Sequence, residues 1–107
     1  MGIHVQENAA LTKQPGGAQL IGPEQSATKG FCIGITYYDQ EVYNPPGVHD
    51  DQEGFYVLAG RGVAKVGDEE FEIRPGTAWI ARKGVPHSLK KKPGSEPVKL
   101  LWSHGAV

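Results

Sequence analysis

The sequence predicts an all-β fold, a sandwich or a barrel, built from short strands that are joined by tight turns. The 107 residues include 15 glycines and 8 prolines, and these fall at intervals of about 8 to 12 residues, as in all-β domains. No stretch of a dozen residues has the apolar spacing of three and four that an amphipathic helix requires. At this length we expect a single domain.

Each predicted strand lies between two turns that are marked by glycine or proline. The loop at 44–47 contains two prolines, which cannot donate to a strand ladder, and the strand that follows it is expected to be interrupted or bulged near Gly54. The dipeptide Gly67-Asp68 between two short apolar runs predicts a hairpin. The predicted strands are 18–21, 30–38, 49–58, 63–66, 69–73, 77–81, 85–89 and 98–102.

The N-terminal third is the least determined part of the chain. We expect residues 1–29 to form an arm that is partly strand or exchanged with a partner subunit, and residues 30–107 to form the barrel. A domain of this size buries only about two thirds of its unfolded surface, so we expect a homodimer.

Composition excludes several classes of function. Acidic and basic residues number 12 and 11, so no broad positive field exists to attract nucleic acid or anionic lipid. No run approaches the ~20 apolar residues of a membrane span. The one cysteine, Cys32, cannot form an internal disulfide. Without a signal-peptide core near the N-terminus, we expect a soluble, cytoplasmic protein that binds a small molecule.

Candidate metal ligands lie at the start of the predicted strand 49–58. His49, Asp51 and Glu53 are two residues apart and share a face of an extended strand. Two acids beside an imidazole on an inward face are costly unless a cation offsets their charge. The alternative is an exposed strand start that is polar because it is solvated. His87 follows a proline, and taken alone it is typical of a surface histidine.

Two stretches of the chain resemble the paired motifs of the cupin superfamily. The first family motif runs Gly, five residues, His-x-His, three or four residues, Glu, six residues, Gly. His49, Glu53 and Gly60 fall on its second His, its Glu and its final Gly.

The second family motif runs Gly, five residues, Pro-x-Gly, two residues, His, three residues, Asn. Gly76, Gly84 and His87 match it, and the two motifs together span about residues 47 to 91. The resemblance implies a single cupin-type antiparallel β-barrel, a double-stranded β-helix or jelly roll. It also implies that His49, Glu53 and His87 bind one metal ion inside the barrel.

The chain departs from the family pattern at four positions. Gly47 stands where the first ligand His belongs, and Glu41, Arg82 and Lys91 replace the leading Gly, the Pro and the Asn. Two imidazoles and one carboxylate remain, a set that suits iron, manganese, zinc, nickel or copper. Asp51 or Gln52 is a candidate for a fourth donor. The alternative is a barrel that binds metal weakly or not at all.

The resemblance implies a metal-dependent enzyme acting on a small polar or carboxylate metabolite, as a dioxygenase, decarboxylase, isomerase or lyase. The alternatives are a non-catalytic module that binds or senses a sugar or organic acid, and a metal-free isomerase or epimerase with His49 or His87 as base. No catalytic residue is identified, although Asp51 and Tyr38 are candidate bases. We expect His4 and His104, near the chain ends, to lie in solvent.

Overall fold

The computed structural model describes residues 2–105 and contains two antiparallel β-sheets packed face to face. Five strands form one sheet in the order β1-β2-β8-β3-β6, and three form the other in the order β5-β4-β7. The strands are β1 (Gly17–Ile21), β2 (Cys32–Tyr38), β3 (Gln52–Ala59), β4 (Gly62–Val66), β5 (Glu69–Ile73), β6 (Ala78–Ala81), β7 (His87–Lys91) and β8 (Val98–Gly105). This jelly-roll arrangement confirms the predicted fold class.

The hydrophobic core lies between the two sheets. Its centre is built from fully buried aliphatic side chains of β3, β5 and β8, because the inward positions of each strand recur every second residue. Phe55 extends the core on β3, and Trp79 and Trp102 pack against it. The fully buried side chains at its centre are Val57, Ile73, Val98 and Leu100.

The N-terminal segment contains a short helix that the sequence analysis did not predict. Helix α1 (Glu7–Lys13) packs against β1, and β1 pairs with β2 of the same chain. Lys99 on β8 donates a hydrogen bond to Glu7 across 2.9 Å. Met1, at the start of the predicted arm, and residues 106–107, at the end of the predicted barrel, lie outside the described residues.

The predicted bulge at Gly54 is wrong. Gly54 pairs in continuous register with Ile80 on β6 and Ser103 on β8, and the register shift in the β3–β8 pairing falls on β3 between Val57 and Ala59. A bulge at Gly54 would turn Glu53 away from the face that the next inward residues share. The bend instead precedes Gly60, whose φ of +82° and contact with the Pro97 carbonyl leave no room for a Cβ atom.

Among residues 2–105, no helix has the length and apolar character needed to cross a membrane.

Candidate metal centre

The three predicted ligands converge at one end of the space between the sheets. Glu53 is the first inward residue of β3, His87 begins β7, and His49 lies in the segment before β3. One ligand atom from each lies within 4.8 Å of the others. The expectation that His49, Asp51 and Glu53 lie on one strand is wrong, since β3 starts at Gln52.

Backbone hydrogen bonds fix the two histidines. Gly47 and His87 exchange a pair of hydrogen bonds, with N–H to carbonyl distances of 2.8 and 3.0 Å, and the His49 carbonyl accepts from the Gly84 N–H at 2.9 Å. The His87 Nδ1 lies 3.2 Å from the Val85 carbonyl. A carbonyl only accepts, so Nδ1 carries a hydrogen, and Nε2 is the nitrogen that faces the centre of the cluster.

Gly47 faces the same centre. A Cβ atom on Gly47 would lie 3.2 Å from the His87 Nε2 and 3.4 Å from the His49 Nε2. The position that carries a ligand His in the family motif is therefore adjacent to both imidazoles and holds no side chain.

The Glu53 carboxylate lies between the imidazoles. Its Oε1 is 3.1 Å from the His87 Nε2 and 3.3 Å from the His49 Nε2. Although both contacts are short, neither has hydrogen-bond geometry, and Oε1 is buried with no hydrogen-bond partner among the described residues. A cation bound between the carboxylate and the two imidazoles would offset the cost of burying this oxygen. Metal bonds of about 2.0–2.2 Å place adjacent ligand atoms about 3 Å apart, which matches these contacts.

Two further polar residues adjoin the cluster. His104, expected in solvent, is largely buried, and its Nε2 lies 3.1 Å from the second Glu53 oxygen. The expectation was wrong because β8 continues to Gly105 and pairs His104 directly with Glu53. Asp51, a candidate fourth donor, contacts the His104 Nδ1 at 3.0 Å. Gln52, the other candidate, is adjacent to Glu53 on β3 and projects to the opposite face. His4 is exposed, as expected.

A cavity of about 160 Å³ contains the three candidate ligands. Phe55 and Trp79 stack at a centroid distance of 5.0 Å along its apolar wall. Tyr38 also lines it, and burial, with a smaller contribution from the charge of Glu53, raises the pKa of its phenol. The raised pKa keeps the Tyr38 phenol protonated at neutral pH.

His49 also lines an open cleft of about 400 Å³ on the outside of the cluster, together with Cys32, Asp51 and His104. The exposed fraction of the His49 side chain is 42%, so His49 separates the cavity from solvent. A larger cleft of about 640 Å³ lies beside Arg61 and residues 92–96. None of the candidate ligands lines that cleft, and we assign the function to the smaller cavity.

Comparison with known proteins agrees with this description. Residues 35–104 match a family model described as Cupin domain. No curated protein matches the chain by sequence.

Solved structures share the fold at low identity. The polyketide cyclase RemF from Streptomyces resistomycificus is 23% identical over 97% of this chain and 80% of its own, with a TM-score of 0.75. A predicted oxalate decarboxylase from Thermotoga maritima is 20% identical over 85% of this chain and 79% of its own, with a TM-score of 0.74. The Cnp3 cupin domain from Schizosaccharomyces pombe is 21% identical, with a TM-score of 0.73. The match covers 85% of this chain but only 60% of the Cnp3 chain.

Proposed function

The chain belongs to the cupin domain family, and from this premise we propose that it is a metal-dependent enzyme. In this proposal His49, Glu53 and His87 bind one divalent transition metal ion, and a small polar or carboxylate molecule reacts beside it inside the barrel. The observation that carries the proposal is the buried Oε1 of Glu53, which faces two imidazole nitrogens at 3.1 and 3.3 Å without a hydrogen-bond partner among the described residues.

The donor set supports a first-row ion. Two imidazoles and one carboxylate suit iron, manganese, zinc, nickel or copper, and the set leaves coordination positions open. A bound ion would supply a Lewis acid that polarises a carbonyl or carboxylate, or that activates water or dioxygen. Because Gly47 supplies no ligand side chain beside the two imidazoles, the coordination position that the missing His would fill is open to a substrate atom.

The cavity limits the substrate. Its volume of about 160 Å³ equals the liquid volume of about five water molecules, which favours a molecule of a few non-hydrogen atoms. Tyr38 donates a hydrogen bond to a substrate oxygen, and Phe55 and Trp79 exclude water along one wall. The name of the Thermotoga maritima structure, a predicted oxalate decarboxylase, supports a small carboxylate as the first compound to test.

Metal titration tests the proposal. Protein stripped with chelator is titrated with Co²⁺, Zn²⁺, Mn²⁺ and Fe²⁺ by calorimetry, Fe²⁺ under anaerobic conditions. We expect one ion per chain for wild type and loss of saturable binding for His87→Ala, because one of three ligands is removed. The matched control His4→Ala removes an exposed histidine and should bind as wild type does. Unchanged stoichiometric binding by His87→Ala would show that the ligand assignment is wrong.

Catalysis is tested separately with the loaded protein. Small carboxylates are incubated with it, and oxygen uptake and product formation are measured by electrode and mass spectrometry. We expect turnover of at least one compound and its loss in His87→Ala. Stoichiometric metal binding without turnover of any compound would instead favour a binding or sensing module.

We also propose a cytoplasmic homodimer. Tyr56 and Leu58 on β3 and Ile80 on β6 are exposed apolar side chains on the outer face of the larger sheet, and clustered apolar surface supports association. Light scattering should give twice the chain mass, and Ile80→Glu should give the mass of one chain. A wild-type protein of one chain mass would contradict the dimer.

A further inference from the structure

The Glu53 carboxylate is contacted from two sides by different groups. Its Oε1 faces His49 and His87, which we propose as metal ligands, and its Oε2 lies 3.1 Å from the His104 Nε2. The cluster with ligand atoms within 4.8 Å of one another consists of His49, Glu53 and His87. His104 therefore contacts the oxygen that is not shared with the other imidazoles.

The sheet determines where the His104 ring lies. His104 is paired directly with Glu53 across the β3–β8 ladder, so the two side chains project to the same face at adjacent positions. The exposed fraction of the His104 side chain is 15%. The ring packs edge-on against Trp102 at 5.7 Å and against His49 at 4.8 Å, which restricts its rotation.

Asp51 holds the other side of the ring. Its Oδ1 lies 3.0 Å from the His104 Nδ1, in hydrogen-bond geometry. Asp51 precedes β3 and is two residues from Glu53, so one short segment supplies both carboxylates that the ring connects. The ring therefore contacts Asp51 through Nδ1 and Glu53 through Nε2.

We propose that His104, oriented by Asp51, is a positioning residue that holds Oε2 of Glu53 and so keeps Oε1 directed at the metal. This inference rests on the proposed metal site. A carboxylate on a strand rotates about its terminal bond unless its second oxygen is held. Residues that orient a metal ligand in this way change metal affinity by about 10- to 100-fold when they are replaced.

Three variants and a control separate positioning from simple packing. His104→Leu removes both ring nitrogens and keeps similar bulk, His104→Gln keeps a polar group near the position of Nε2, and Asp51→Asn weakens the hold on the ring. His4→Leu repeats the first substitution at an exposed histidine. Each protein is titrated with Co²⁺, and the visible absorption of the bound ion is recorded together with the melting temperature.

We expect His104→Leu to bind one Co²⁺ per chain about 10- to 100-fold more weakly than wild type, with a shifted absorption band. His104→Gln should recover most of the affinity and the wild-type band, and Asp51→Asn should lose less affinity than His104→Leu does. His4→Leu should match wild type. If His104→Leu does not fold, Asp51→Asn carries the test, because Asp51 lies outside the strands.

Two outcomes would overturn the proposal. The first is a Co²⁺ affinity within twofold of wild type and an unshifted absorption band in His104→Leu, or in Asp51→Asn if His104→Leu does not fold. This result would show that Glu53 binds the metal equally well without His104. Pulsed electron paramagnetic resonance of bound Cu²⁺ counts the coordinated imidazoles. A count of three in wild type and two in His104→Gln would identify His104 as a ligand. Absence of Co²⁺ binding in wild type, by contrast, would refute the proposed function itself.

Discussion

The inward-facing residues of β3, β7 and β8 differ sharply between the two ends of these strands. At one end they are aliphatic and fully or nearly fully buried, as for Val57 and Leu100. Toward the other end β3 passes through Phe55 to Glu53, β8 passes through Trp102 to His104, and β7 passes from Leu89 to His87. We call the first region the aliphatic end and the second the polar end.

The two ends contribute differently to the protein. Removal of apolar surface from water at the aliphatic end stabilises the fold. The polar end places among imidazoles a carboxylate with one oxygen that has no hydrogen-bond partner within residues 2–105. Such an arrangement costs stability unless a ligand offsets it. Local departures from the rules of core composition are typical of functional sites. The difference fits the proposal that the polar end binds a metal ion while the aliphatic end stabilises the fold.

The largest expected effect is on the aliphatic end. Leu100→Ala removes a fully buried side chain and should lower the free energy of unfolding by about 2–5 kcal/mol. Urea denaturation followed by tryptophan fluorescence measures it. Below the denaturation midpoint the variant should still bind one Co²⁺ per chain. Loss of metal binding in the folded variant would mean that the two ends are not separable.

Substitution at the polar end should act in the opposite direction. Glu53→Gln removes the buried charge, so we expect the metal-free variant to gain about 1 kcal/mol in free energy of unfolding. With saturating Co²⁺ the order should reverse, since only wild type is stabilised by binding. Urea denaturation with and without metal checks both parts. A metal-free Glu53→Gln protein less stable than metal-free wild type would contradict this assignment.

The smallest effect is expected at a contact outside the core, on the opposite face of β8. Lys99 on β8 pairs with Glu7 of α1, and its hydrogen bond to Glu7 raises the lysine pKa above its ordinary value of 10.5. The stabilisation is therefore complete below that value and disappears as pH rises through the folded-state pKa.

Glu7→Gln should cost about 0.2–1 kcal/mol at pH 8, as for exposed ion pairs, and leave Co²⁺ affinity unchanged. Urea denaturation at pH 8 and at pH 11 measures the difference from wild type. A difference that grows toward pH 11 would contradict the assigned pairing.

Much of the fold followed from the sequence because turns are local. Gly67-Asp68 forms the predicted hairpin between β4 and β5, and Gly60 turns the chain where the family motif places its glycine. The convergence of His49, Glu53 and His87 was implied by the resemblance to the cupin motifs. Helix α1 was missed because its seven residues bury no side chain completely, so its sequence carries no apolar stripe.

His104 shows why the rest of the site was harder to predict. Every second residue from Val98 through Leu100 and Trp102 to His104 lies on the same face of β8, and this alternation is a signal that His104 faces inward. The expectation of solvent exposure relied instead on the position of His104 near the chain end. Its pairing with Glu53 joins residues 51 positions apart, and that pairing depends on which strands are neighbours in the sheet. Strand order is a tertiary property that one local pattern does not encode.

The central claim is tested most directly by locating a metal ion. Crystals of the protein grown with Co²⁺ are measured on both sides of the cobalt absorption edge, and the anomalous difference map is calculated. We expect one strong peak bonded to the Nε2 atoms of His49 and His87 and to Oε1 of Glu53. A map without a peak there, in crystals saturated with the ion, would contradict the account.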